Sequence, residues 1–164
     1  MHEPVGPAFL VALEVSGLAT LMRQSQWLYP IVEIAHIVGF VTLVGSVAMF
    51  DLRLLGLSRG LPVSGMARHL LRWSMASLLF VVPSGFMMFS AHATEFFDNT
   101  AFRLKMLLLA AAAANAILFH RTSYRSVANW NTAVAPPMAG RVAAVVSLAL
   151  WIGVISCGRL IAYL

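Results

Sequence analysis

Charge is scarce in this sequence. Only 10% of its 164 residues are Asp, Glu, Lys or Arg, and 60% are hydrophobic, whereas an ordinary soluble domain has about 25% charged and about 45–50% apolar residues. Six acidic and eleven basic side chains are too few to cover a globule of this size with a polar surface. The composition therefore excludes a soluble fold and predicts a surface that faces a lipid bilayer.

Cysteine is nearly absent as well. Cys157 is the only one, which excludes an intramolecular disulfide and a metal knuckle built from cysteines alone. The net charge of +5 is spread along the chain rather than gathered in a basic stripe, so we do not expect nucleic acid as a partner. The sequence also lacks a phosphate-binding glycine loop, a nucleophile elbow and a metalloprotease helix.

Long apolar runs are what the sequence has in abundance. Four of them lie at about 28–50, 73–93, 102–120 and 142–164. Each is close to the length of about 20 residues that a helix needs to cross about 30 Å of hydrocarbon. Lipid offers the backbone no hydrogen-bond partners, so each run must be a helix. The pattern predicts an all-α transmembrane four-helix bundle that forms a single integral membrane domain over 1–164.

The segment before the first run has a different character. It is apolar enough to resemble the central region of a signal peptide, but the residues MHEP before it carry no positive charge and Glu14 interrupts it. It is also too short and too charged for a fifth span. We predict a short N-terminal amphipathic helix over 8–23 that lies at the membrane interface.

The charged connections predict the orientation of the bundle. Basic residues dominate the first and third connections, whereas the second holds Glu95 and Asp98. Because short cytoplasmic loops are rich in Lys and Arg, the first and third connections are predicted to be cytoplasmic and both termini periplasmic. Asp51 and Arg53, at the inner end of the first span, are expected to form an exposed pair.

Ionisable groups inside a membrane are costly, so each is a candidate functional residue. At 1.5 Å per residue from the outer boundary, Glu33 and Arg159 lie about 8 Å deep, Cys157 about 10 Å and His36 about 12 Å. The four residues are therefore predicted to form one buried polar cluster in the outer leaflet. Within it, Glu33 pairs with Arg159. If Arg159 extends to the headgroups instead, Glu33 is protonated or bonded to His36.

The histidines suggest a cofactor hypothesis. A b-type haem in a helix bundle is held by two imidazoles from different helices. His36 and His92 both fall in the outer half, and a kink at Pro83 would bring them closer in depth. The hypothesis is one haem b with His36 and His92 as axial ligands. It would relay electrons between the membrane and a periplasmic redox partner.

Other chemistry and other roles stay open. Glu33, His36 and Cys157, joined by His92 if it turns inward, could ligate a copper, iron or zinc ion. The protein could instead be an ion, metal or proton transporter or channel component with Glu33 and His36 as titrating groups, which would need oligomerisation because four helices leave little room for a path. A third alternative is a structural accessory protein that binds other membrane subunits and carries no cofactor.

Several segments together carry a resemblance to a known family. WLYPIVEIAHIVGF, FDLRLLGL, VVPSGFMMFSAHATEF, AFRLKMLLLA and LWIGVISCGRLIAYL resemble a family of small bacterial four-span integral membrane proteins without an assigned function. The resemblance implies a four-helix membrane protein in the bacterial inner membrane, but no activity, substrate or cofactor. The chain also loosely resembles b561-type cytochromes in having four helices, with four of its five histidines on or beside them. Their two haems are not expected here, because His69 and His92 are about 34 Å apart along a helix.

Overall fold

A computed structural model describes residues 5–163 of the chain, and the regular structure of these residues is entirely helical. In chain order the helices are α1 (Ala8–Glu14), α2 (Gly17–Gln24), α3 (Leu28–Leu55), α4 (Val63–Ala91), α5 (Ala93–Asp98), α6 (Thr100–Arg121) and α7 (Met138–Leu160). A 3-10 helix, Ser123–Asn129, lies between α6 and α7.

Four of these helices are long and apolar enough to cross a membrane, namely α3, α4, α6 and α7. The shortest, α6, has 22 residues and the longest, α4, has 29, which corresponds to about 33–44 Å at 1.5 Å per residue. Each therefore exceeds the hydrocarbon thickness of about 30 Å. The all-α four-helix bundle predicted from the apolar runs is confirmed, and the chain is a small polytopic membrane protein.

The helices pack mainly as two antiparallel pairs. α3 lies along α4, α6 lies along α7, and α3 also packs against α7. α4 and α6 approach each other through the stacked rings of Phe89 and Phe102, whose centroids are 5.4 Å apart. Many of the outward-facing side chains are exposed Ile, Val, Leu and Met residues, which is the surface that lipid requires.

The first two spanning helices extend beyond the predicted apolar runs. α3 continues to Leu55 and ends at Gly56, whose left-handed φ of 110° forms a glycine C-cap. α4 begins at Val63, ten residues before the predicted start at 73. Its first turns alternate arginines with apolar residues, and Val63 and Ala67 join the same buried cluster as Phe50 and Leu54. This packing makes the basic connection helical.

The N-terminal segment forms two short helices instead of one. α1 and α2 are separated at Ser16, whose hydroxyl group accepts a hydrogen bond from the Ala19 N–H at 3.4 Å and so caps α2. Leu10 and Met22 bury their side chains against the bundle. The two helices pack on α5 and α4, so they cover one end of the bundle.

Arg53 links the first and third connections at the opposite end of the bundle. Its side chain is only 2% exposed. It donates hydrogen bonds to the carbonyl groups of Leu61 at 2.8 Å, Arg59 at 3.2 Å and Asn131 at 3.3 Å. The expectation of an exposed Asp51–Arg53 pair is wrong, because the guanidinium turns away from Asp51 to bind backbone carbonyls of both basic connections.

Candidate functional site

His36 points from α3 into the contact with α4. Its Nδ1 lies 3.1 Å from the Val81 carbonyl oxygen and 2.9 Å from the Ser84 hydroxyl. A carbonyl only accepts, so in this geometry Nδ1 carries the proton and Nε2 is left as an acceptor. The missing side chain at Gly85 makes room for the ring, since a Cβ there would lie 3.1 Å from His36 Cε1.

Pro83 lies in the turn that holds this histidine. α4 continues through Pro83 to Ala91, although proline lacks the N–H that a helix interior needs. The Ser84 hydroxyl donates to the Phe80 carbonyl in the same turn. The proline is thus accommodated within α4, and polar side chains gather beside it.

Lys105 brings a cationic amine into the same region from α6. It is the only lysine in the sequence, and its side chain is half-buried. A Cβ placed on Gly158 of α7 would lie 3.7 Å from Lys105 Nζ. Cys157, the residue before Gly158 on α7, is buried.

Each of the four spanning helices therefore contributes one side chain to what we call the outer polar layer, which consists of His36, Ser84, Lys105 and Cys157. Depth counting along the sequence had grouped His36 with Cys157. It did not include Lys105. Lys105 lies five residues inside α6, about 8 Å from the membrane boundary. This depth could have identified it as an ionisable group inside the membrane.

The predicted ion pair between Glu33 and Arg159 is not formed. Glu33 is exposed on α3, and among residues 5–163 no ion pair includes it. Arg159 instead donates to the Tyr163 hydroxyl at 2.7 Å and lies over that ring at 5.0 Å. Arg159 lies near the end of α7 and so reaches a polar partner one turn later. It therefore does not need Glu33 as a partner.

The residues do not fit the single-haem hypothesis. His92 lies at the corner between α4 and α5, with Nδ1 3.6 Å from a Glu95 carboxylate oxygen. His36 instead contacts Ser84, and eight residues of helix between Ser84 and His92 correspond to about 12 Å. One iron needs both ring nitrogens within about 2 Å of it, so the structure does not bring these two histidines together as axial ligands.

The metal-ion hypothesis needs several ligands in one place. Across residues 5–163, no group of three or more His, Cys, Asp or Glu side chains is positioned to hold a metal ion. Glu33 is exposed, whereas Cys157 is 4% exposed. The predicted ligands Glu33, His36 and Cys157 thus share a depth but not a common centre.

A second polar site lies near the other end of α3. Asp51 is 5% exposed, and its Oδ2 has no hydrogen-bond partner among the described residues. The Ser147 hydroxyl of α7, itself buried, is its neighbouring polar group. We call this pair the inner acid site. Sequence reasoning placed Asp51 at the membrane boundary, and the direction of its side chain into the bundle is what the structure adds.

Buried serines lie between the two sites. Ser74 and Ser77 of α4 are 6% and 4% exposed, and the Ser77 hydroxyl donates to the Ser74 carbonyl at 2.7 Å. On α3, His36 and Asp51 are separated by 15 residues, or about 22 Å. The bundle interior thus holds a titratable group near each end and hydroxyl groups between them.

Comparison with known proteins gives a family but no activity. The model of a family described as a family of unknown function (DUF6644) matches residues 11–164. No curated protein and no solved structure matches the chain. Since the match covers nearly the whole chain, including all four spanning helices, the chain belongs to this family of unknown function.

Proposed function

We propose that this protein conducts protons across the membrane, with the inner acid site and the outer polar layer as its two proton-binding stations. The observation that carries the proposal is Asp51, a carboxyl group that is 5% exposed and has an oxygen without a partner. A negative charge there would be uncompensated in a low-dielectric interior. A proton is the smallest species that neutralises it.

The outer polar layer supports the same role. His36 presents Nε2 as an acceptor while Nδ1 is held by Val81 and Ser84. Imidazole is the side chain best suited to gain and lose protons near neutral pH. Glu33 lies one turn before His36 on α3, and Lys105 enters the same layer from α6.

Close helix packing favours protons over larger ions. A Cβ on Gly39 would lie 2.9 Å from Val81 Cγ2 and 3.3 Å from the Ser77 carbonyl oxygen. An ion that keeps ligands or water around it needs a wide path, but a proton can pass between hydroxyl groups and buried water molecules. Ser74 and Ser77 supply hydroxyl groups at the required depth.

We propose a multi-pass protein of the bacterial inner membrane with its termini in the periplasm. The basic connections would then be cytoplasmic, which follows the usual excess of arginine on that side. The inner acid site would exchange protons with the cytoplasm and the outer polar layer with the periplasm. Electron transfer through haem b is not proposed, because His36 and His92 do not fit one iron.

Proton flux into liposomes tests the proposal. The purified protein is reconstituted with a pH-sensitive dye inside, and a potassium gradient with valinomycin drives proton entry. We expect wild-type protein to acidify the liposomes faster than protein-free controls. Asp51→Asn, which keeps the shape of a neutral carboxyl group, should lower the rate about tenfold because it cannot release a proton.

Asp98→Asn is the matched control, because Asp98 is an exposed acid outside the bundle interior. It should leave the flux unchanged. A wild-type rate equal to that of protein-free liposomes would overturn proton conduction and favour the structural accessory role. An Asp51→Asn rate equal to the wild-type rate would show that any flux does not use the inner acid site.

A further inference from the structure

A cleft opens beside α4 at the arginine-rich end of the bundle, between that helix and the 3-10 helix. Its volume is about 420 Å³, and it is lined by Ala67, Arg68, Leu71, Arg72, Met75 and Tyr124. From 67 to 75 the lining follows α4 for eight residues, about 12 Å along the helix axis. The cleft thus extends from the start of α4 toward the apolar part of the span.

The polar part of this cleft is cationic and has no partner in the protein. Arg68 and Arg72 are four residues apart and so project from one face of α4. Both are exposed, and within the described chain, residues 5–163, neither guanidinium forms a hydrogen bond or an ion pair. Guanidinium groups bind phosphate oxygens in a bidentate manner. Two of them side by side are suited to a phosphate ester.

The surrounding charge strengthens this preference. The sequence stretches 51–72 and 121–141 carry seven arginines but only one acid, Asp51, and that acid is buried in the bundle. The local electrostatic field therefore attracts anions without competition from a surface carboxylate. Free basic side chains next to a membrane surface attract anionic lipid.

The remaining lining is apolar and leads toward the hydrocarbon. Leu71 and Met75 continue the same face of α4, and Met75 is 64% exposed. Tyr124 bounds the other side, and its ring lies 5.3 Å from the His120 ring and 6.0 Å from the Phe119 ring. Tyrosine at this level suits the membrane interface, where one end of the side chain is apolar and the other meets water.

We propose that this cleft binds the headgroup of an anionic phospholipid, with the phosphate on Arg68 and Arg72 and an acyl chain along Leu71 and Met75. Charge complementarity identifies the headgroup, and the continuous apolar wall identifies a lipid rather than a soluble phosphate compound. The site does not involve the outer polar layer or the inner acid site, so the proposal is independent of proton conduction.

Lipid binding can be measured on the full chain in a neutral detergent. Fluorescent phosphatidylglycerol and fluorescent phosphatidylcholine are titrated separately, and unlabelled inorganic phosphate is added as a competitor. We expect phosphatidylglycerol to bind at least about tenfold more tightly than phosphatidylcholine. Inorganic phosphate should fail to displace it, because phosphate makes no contact with the apolar wall. Displacement by phosphate at millimolar concentration would overturn the lipid assignment.

Paired substitutions test the location of the site. Arg68→Gln with Arg72→Gln should remove the preference for phosphatidylglycerol. Arg121→Gln with Arg125→Gln is the matched control, since these two exposed arginines lie at the same end but do not line the cleft. An equal loss in both pairs would mean general surface attraction and would overturn the site. Arg68→Lys with Arg72→Lys keeps the charge and should bind weakly, because lysine lacks the bidentate fork; full binding by that pair would contradict a guanidinium clamp.

Discussion

Glu14 of α1 receives two hydrogen bonds from Thr94 at the start of α5, one from the backbone N–H at 2.9 Å and one from the hydroxyl group at 2.7 Å. These bonds connect positions 80 residues apart in the sequence. They fasten the N-terminal helices to the corner between α4 and α5. Arg23 of α2 adds a hydrogen bond to the Glu14 carbonyl at 2.8 Å.

The Glu14 contacts predict a dependence of local stability on pH. Burial tends to raise the pKa of the Glu14 carboxyl group, but the bonds from Thr94 and the positive charge of Arg23 outweigh it and lower the pKa below its ordinary 4.5. A lowered folded-state pKa stabilises the folded form fully above the unfolded-state value, and this gain is lost as pH falls through the folded-state pKa. Protection of residues 8–24 from hydrogen exchange should therefore decrease below about pH 4.5.

Glu14→Gln tests whether this carboxylate is the cause. At neutral pH the variant should lose about 1 kcal/mol of local protection, after allowance for solvent screening of a half-buried group. Its protection should also vary less with pH between 6 and 3. Glu95→Gln serves as the control, because the Glu95 carboxylate is 69% exposed. If both variants retain the wild-type pH profile, another group fastens α1.

Gly39 predicts a steric limit at the contact between α3 and α4. A Cβ there would lie 2.9 Å from Val81 Cγ2 and 3.2 Å from Phe80 Cβ. Gly39→Ala should therefore destabilise the bundle by about 1–3 kcal/mol, measured by thermal unfolding in detergent. Gly45→Ala, on the same helix with nothing within 4 Å of the added methyl group, should be neutral or stabilising by up to about 1 kcal/mol. Equal effects of the two substitutions would contradict this packing.

We expect substitution of Arg53 to destabilise the arginine-rich end of the bundle strongly. Arg53→Met keeps an unbranched apolar stem but leaves the carbonyl groups of Leu61, Arg59 and Asn131 without this donor. Three hydrogen bonds from a charged donor are lost, each worth about 1.5–3 kcal/mol, so we expect at least about 3 kcal/mol of destabilisation by denaturant unfolding. Arg121→Met, at an exposed position, should change the stability by no more than about 0.5 kcal/mol. A small effect of Arg53→Met would mean that water molecules readily replace the guanidinium as the donor to these carbonyl groups.

The orientation can be tested by thiol labelling in intact bacterial cells that express the protein. With Cys157→Ser as background, Asp98→Cys and Ala128→Cys place single thiols at exposed positions on opposite ends of the bundle. A membrane-impermeant maleimide should label Asp98→Cys in intact cells, and Ala128→Cys only after lysis. The reverse result would invert the proposed orientation and exchange the roles of the two proton-binding stations.

The class of fold was predictable because lipid imposes a minimum length on each apolar run. The start of α4 was not predictable in this way. Its first turns combine arginines spaced four residues apart with the buried Val63 and Ala67, and a search for long apolar runs does not detect a helix of such mixed character. Burial against Phe50 and Leu54 is a tertiary effect. Boundaries therefore depend on packing partners that the linear sequence does not name.

Depth could be counted from the sequence, whereas direction around each helix could not. Glu33 and His36 are one turn apart, yet His36 faces α4 and Glu33 is exposed. The same limit explains Asp51, whose depth was known but whose side chain turns toward Ser147. Rotational placement is set by neighbouring helices, because the bilayer itself is the same on every side of a helix.

The contact between α3 and α7 also has a consequence for the order of assembly. These helices are the first and fourth spans along the described chain, yet Asp51 of α3 has its neighbouring hydroxyl group on α7. During synthesis α3 enters the bilayer before α7 exists, so its acid initially lacks that shelter. An ionisable group inside a bundle is costly until it has a polar neighbour. The polar environment of Asp51 is therefore complete only after the fourth span has packed against the first.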